Sequence, residues 1–170
     1  MQIQQIVDLT ATVLKSLEEQ MHPSATILPC FPRSIQLDGY SCGAKSTYTI
    51  LRYYRISCTT KSVERTLKTT YNGTSVKNIL RVLRQKGLSC KEVDKAKLSQ
   101  IREAIDNGSP VLISVFDGWH YSVVYGYSDS HIFVMNPSLD VTDMGSVWNA
   151  VPRRRFADIW DHWGIIVGNA

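Results

Sequence analysis

The spacing of apolar residues changes character once along this chain, and that change limits the fold more than any single motif. Up to Asp106 they recur at three- and four-residue intervals, the repeat of a helix with one buried face; from Pro110 onward they form β-branched and aromatic runs. Helices first and strands afterward predict an α+β domain whose helical part packs on an antiparallel sheet.

The stripe Ile3, Ile6, Val7, Val13, Leu14, Leu17 and Met21 predicts an N-terminal helix ending near His22-Pro23. Three prolines between Pro23 and Pro32 predict an extended crossing. Ala44, Tyr48, Leu51 and Tyr54 then recur at helical spacing, with Ser41 as a capping residue, so Cys42 falls at the head of a buried helix. Further helices are expected over Lys61–Lys68, Ser75–Gln85 with Gly87 as the stop, and Lys97–Asp106. The strands are VLISVF, HYSVVYGY, HIFVMN and WGIIVG. At 170 residues one domain is expected, made of a helical extension (1–28), a helical half (29–108) and a β half (109–170).

Composition excludes several classes. A charged fraction of 20% and a net charge of +4 argue against a nucleic-acid partner, and the basic spot Arg153, Arg154 and Arg155 reads as a solvated loop. No apolar run approaches the roughly 20 residues that cross a bilayer. Lys15, Glu18 and Glu19 stand where a secretory signal is apolar, which points to the cytoplasm and leaves non-classical secretion open. Cys30, Cys42, Cys58 and Cys90 form no CxxC pair and no zinc spacing, so neither metal, cofactor nor disulfide framework is expected.

The residues able to carry chemistry are Cys42, His120, Asn136 and Gln36. A thiol at a helix head meets unpaired N–H groups and the positive end of the helix dipole, which predicts a thiolate favoured below the free value of about 8.5. HYSVVYGY and HIFVMN, joined by a short polar turn, should pair antiparallel. With Ser128-Asp129 as the loop, His120 lies opposite Pro137 and diagonal to Asn136; a slip one way would set the two directly opposite, and a slip the other way would separate them. An imidazole oriented by a carboxamide can deprotonate the thiol, while Gln36, six residues upstream, and the Cys42 N–H can hold a developing oxyanion. Gly43 would let a substrate backbone approach the helix end, and Trp119 could hold a substrate side chain at a turn beside the site. His162, flanked by Asp161 and Trp163, is the rival base; Cys30, Cys58 and Cys90 read as structural.

The strings QLDGYSCGAKSTYTILRYYR, GTSVKNILRVLRQKGL and GWHYSVVYGYSDSHIFVMNP resemble the peptidase domains that process double-glycine bacteriocin leaders, and their free-standing papain-like relatives. The resemblance runs from about Gln36 to Pro137. It implies a papain-like cysteine peptidase acting on a peptide or protein substrate, with Cys42 as nucleophile, His120 as base, Asn136 as its partner and Gln36 as oxyanion donor. Transporter-linked members usually carry Asp where Asn136 stands, an acid where Ser41 stands and a small neutral residue where Lys45 stands. The same machinery could pass an acyl group to an amine or thiol, and degenerate relatives bind peptides without cleaving them.

Overall fold

The computed structural model describes residues 9, 13, 20–138 and 150–170. Almost all of the expected N-terminal helix lies outside them. Among the described residues five helices and seven strands follow one another along the chain: β1 (Thr26–Ile27), α1 (Cys42–Tyr53), α2 (Thr60–Leu67), α3 (Val76–Gln85), β2 (Leu88–Val93), α4 (Leu98–Asp106), β3 (Val111–Val115), β4 (His120–Tyr127), β5 (His131–Met135), β6 (Ala150–Pro152), α5 (Arg153–Ile159) and β7 (Trp160–Asn169). The strands form one antiparallel sheet in the order β2-β7-β3-β4-β5-β6, with β1 added to β4. The fold class is α+β, as the change of periodicity predicts.

Helix boundaries follow local chemistry. Thr59 caps α2 in a reciprocal bond pair with Ser62, and Ser75 caps α3 by accepting the Asn78 N–H. Gly87 ends α3 with a φ of +80°, which side chains rarely adopt. Every residue of β3 is buried, and in β4 only Tyr121 is partly exposed. Such continuous burial, in place of alternation, means that both faces of the central strands are covered. α1 packs on β4, α4 on β4, β1 and β3, and α3 on β2.

Three features depart from the sequence reading. β2 lies inside the segment read as helical, and β6 precedes the tryptophan-rich end; both are the outer strands of the sheet path. An outer strand has one neighbour and little to bury, and in β2 only Leu88 is buried, so no apolar alternation announces it. The arginine run, expected as a loop, opens α5, whose Phe156 and Ile159 anchor it to the core. Among the described residues no helix is long and apolar enough to cross a membrane.

Candidate active site

Cys42 is the first residue of α1, as the helical repeat that follows it predicts. Ser41 occupies the cap position, yet its side chain makes no capping bond. The carboxylate of Asp38 instead folds the approach to the helix, accepting the N–H of Ser41 at 2.7 Å and that of Tyr40 at 2.9 Å. Cys42 is buried but stands outside the contiguous apolar core. Its thiol faces N–H groups of Tyr121, of Gly43 and of Cys42 itself. The cysteine thus rests against the start of β4, beside the residue that follows His120.

Burial dominates the thiol's ionisation and pushes it up from its ordinary value; the three N–H groups pull it back in part, and the Asp38 carboxylate pushes the same way as burial. Burial therefore opposes the lowering expected from the helix head alone. His120 shifts in the opposite sense, because burial holds its imidazole below the usual value against the opposing hydrogen bond from Asn136. Burial thus disfavours the charged form of both groups.

The tautomer of that ring follows from its neighbours. Asn136 Oδ1 accepts the backbone N–H of Ser138 at 2.9 Å, which identifies the atom as the amide oxygen. The same oxygen lies 2.8 Å from His120 Nε2, so Nε2 carries the hydrogen and donates it. Nδ1 is left as the basic nitrogen. Gln36 is tied to this group through the chain: its N–H donates to the Pro137 carbonyl at 2.7 Å, and its side-chain Nε2 donates to the Asp38 carbonyl at 2.8 Å. All four side chains are buried, none more than 7% exposed.

How His120 and Asn136 meet corrects the expected register. The two-residue loop is Asp129-Ser130, closed by Ser128 N–H to the His131 carbonyl, one residue later than assumed. That change alone would move His120's partner along β5 by two positions and leave Asn136 on the opposite face. A bulge between Val124 and Gly126 takes one position back, so that Val123 pairs with Met135. Continued past Met135, this register sets Asn136 across from Ser122, on the face that His120 shares. The slip expected to part the two residues is the one that unites them, because it changes the face as well as the distance.

At Gly43 a Cβ would come within 2.9 Å of Thr74 Cβ and 3.1 Å of Tyr121 Cδ2, so its bare Cα lets the helix head close on those side chains. Trp119 is 86% exposed on the turn before His120. That turn is strained: Phe116 and Asp117 both have φ near +60°, costing about 1–2 kcal/mol each. Asp161 holds it, accepting Asp117 N–H at 2.8 Å and Gly118 N–H at 2.9 Å through its two oxygens. Sequence reasoning passed over both Asp38 and Asp161; a lone Asp two to four residues before a capped helix is a signal that could have singled out the first. His162 is occupied elsewhere, with Nδ1 3.2 Å from the Ala96 carbonyl and its ring against Trp160. Lys45 pairs with Glu64 of α2 at 3.3 Å.

Comparison with known proteins places this geometry in a family. The family model described as the Peptidase C39 family matches residues 31–168. A double glycine motif protease from an AMS/PCAT transporter, solved in complex with the leader peptide, superposes with a TM-score of 0.68 at 18% identity, covering 82% of this chain and 91% of that one. A putative C39-like peptidase from Bacillus anthracis superposes with a TM-score of 0.68 at 14% identity, covering 86% and 98%. Among curated sequences, an uncharacterized protein of Methanothermobacter thermautotrophicus is 26% identical over 105 residues, 62% of this chain and 70% of its own length.

Proposed function

This chain belongs to the Peptidase C39 family and is a papain-like cysteine peptidase, and from that premise we propose that it hydrolyses peptide bonds through Cys42, His120 and Asn136, with Gln36 as an oxyanion donor. The hydrogen bond from His120 Nε2 to Asn136 Oδ1 carries the reading, because it leaves Nδ1 as the base. The substrate is a peptide segment, a proposal supported by the leader peptide bound to a structural relative.

His120 Nδ1 takes the Cys42 thiol proton as sulfur bonds to the scissile carbonyl carbon, and the carbonyl π electrons move onto oxygen. The N–H of Cys42 and an amide N–H of Gln36 stabilise that oxyanion. Collapse breaks the C–N bond, and Nδ1 returns the proton to the leaving amine. Water, deprotonated by Nδ1, then attacks the thioester carbon; collapse breaks the C–S bond and releases the acid, and Nδ1 returns the proton to the Cys42 sulfur. Asn136 keeps Nε2 protonated throughout and so prevents the ring from presenting the wrong nitrogen. Trp119, exposed beside His120, contacts the peptide near the cleaved bond.

Incubation with a library of internally quenched fluorescent decapeptides, with and without an amine acceptor and read by mass spectrometry, tests the reading. New termini in the wild type and none in Cys42→Ala are expected, with the fold unchanged by circular dichroism. Turnover retained by Cys42→Ala would remove the cysteine as nucleophile, and acceptor adducts in place of new termini would make the chain a transferase.

A further inference from the structure

An oxyanion donor has to be held in place before the charge develops, and a glutamine amide can turn either of two ways. In Gln36 the orientation has a single visible determinant. Nε2 donates one hydrogen to the Asp38 carbonyl at 2.8 Å, while Oε1 is buried with no hydrogen-bond partner among the described residues. Turning the amide would set Oε1 against the Asp38 carbonyl, two acceptors face to face, and lose that bond. Among the described residues the second hydrogen on Nε2 has no partner, which leaves it for a substrate.

The Asp38 carbonyl is itself held by its own side chain. Residues 37–40 are exposed, Leu37 at 73%, and a Cβ on Gly39 would meet nothing within 4 Å, so packing does not shape this loop. The Asp38 carboxylate folds it instead, by accepting the N–H groups of Tyr40 and Ser41 through one oxygen. We propose that Asp38 is a positioning residue for catalysis: its carboxylate closes the Leu37–Tyr40 loop onto the head of α1, and its carbonyl then presents the Gln36 amide with one N–H directed to the oxyanion. The assignment rests on Gln36 being the oxyanion donor.

Asp38 also brings a cost. Its charge opposes ionisation of the Cys42 thiol, while burial, outweighed by the two N–H groups and the charge of Lys45, leaves its own carboxyl below the ordinary value and hence ionised at neutral pH. An asparagine would keep the loop and remove the charge, which separates the two effects.

The test uses Asp38→Ala, Asp38→Asn and Asp38→Ser in the wild-type chain, and Asp38→Ala in a Gln36→Ala background, on the quenched decapeptide that the wild type cleaves fastest. Affinity for a peptide aldehyde, whose thiohemiacetal oxygen uses the same donors, gives a second readout. Asp38→Ala is expected to lower kcat and aldehyde affinity about tenfold, the worth of one hydrogen bond, with KM nearly unchanged. Asp38→Asn should recover most of the loss and move the alkaline limb of thiol ionisation to lower pH. In the Gln36→Ala background, Asp38→Ala should cost nothing further. Wild-type kcat in Asp38→Ala, or additive losses in the double variant, would overturn the proposal and leave the peptidase reading standing. Wild-type turnover in Gln36→Ala or Cys42→Ala, or no cleavage of any peptide, would overturn both. Should Asp38→Ala fail to fold, Asp38→Ser, which keeps an oxygen able to accept the Ser41 N–H, is read against Asp38→Asn by the same criteria.

Discussion

One oxygen atom decides the chemistry of the imidazole. Asn136 Oδ1 serves the Ser138 N–H and the His120 Nε2–H together, and a group that accepts both must be a carbonyl or a carboxylate. Asn136→Asp is therefore expected to keep the ring oriented, while its negative charge favours the imidazolium and raises the imidazole pKa, so the acid limb of kcat/KM against pH moves upward. Asn136→Ala should lose about tenfold or more in kcat, since the ring is freed to present either nitrogen. An unmoved acid limb in Asn136→Asp would mean that Asn136 does not touch the working base. Gln36, Cys42, His120 and Asn136 were all legible as candidates from residue type, order and spacing. Their protonation was not: burial reverses the expected lowering of the thiol, and burial is a property of what surrounds a residue.

At the scale of elements, two close fits hold the candidate groups. Gly43 brings the head of α1 against Thr74 and Tyr121. Gly43→Ala should destabilise the chain by about 1–3 kcal/mol, the usual result of overpacking, read as a lower urea midpoint. A midpoint equal to wild type would show that the contact gives way easily. Asp161, at the start of β7, clamps the turn between β3 and β4 although it lies more than forty residues downstream. Asp161→Ala releases two N–H groups and the strained backbone of Phe116 and Asp117, so both Tm and kcat should fall, and Asp161→Asn should restore part of each. If Asp161→Ala lowers Tm but leaves kcat alone, the turn supports the fold without placing His120. The helices could be read from periodicity because they bury a regular face, and the central strands from their continuous β-branched and aromatic runs. The outer strands β2 and β6 could not, for they bury too little to leave a pattern.

Across the whole molecule, the two opposed ionisations tie stability to pH. His120 has a lowered value in the folded chain, so the unfolded state binds its proton more readily; that contribution is present above the unfolded value of 6.5 and is lost as pH falls below it. Cys42 has a raised value, so its contribution is full below 9.0 and is lost as pH climbs through the folded value. Urea midpoints measured against pH should decline at both ends, and Cys42→Ala should flatten the alkaline side alone. An alkaline decline unchanged by that substitution would place its origin in another group, such as Tyr54, pushed up to about 12.

By itself the sequence determined the class of fold and the helix that begins at Cys42, since these depend on local periodicity and on residue chemistry, and it offered Gln36, Cys42, His120 and Asn136 as candidates. Tertiary structure alone decided that His120 and Asn136 share a face. A turn placed one residue later and a bulge near Tyr125 each shift the pairing, and only their combination brings the two side chains together. Register is a relation between strands, and a one-residue change in it reverses every side chain, so no reading of either strand alone could have settled it.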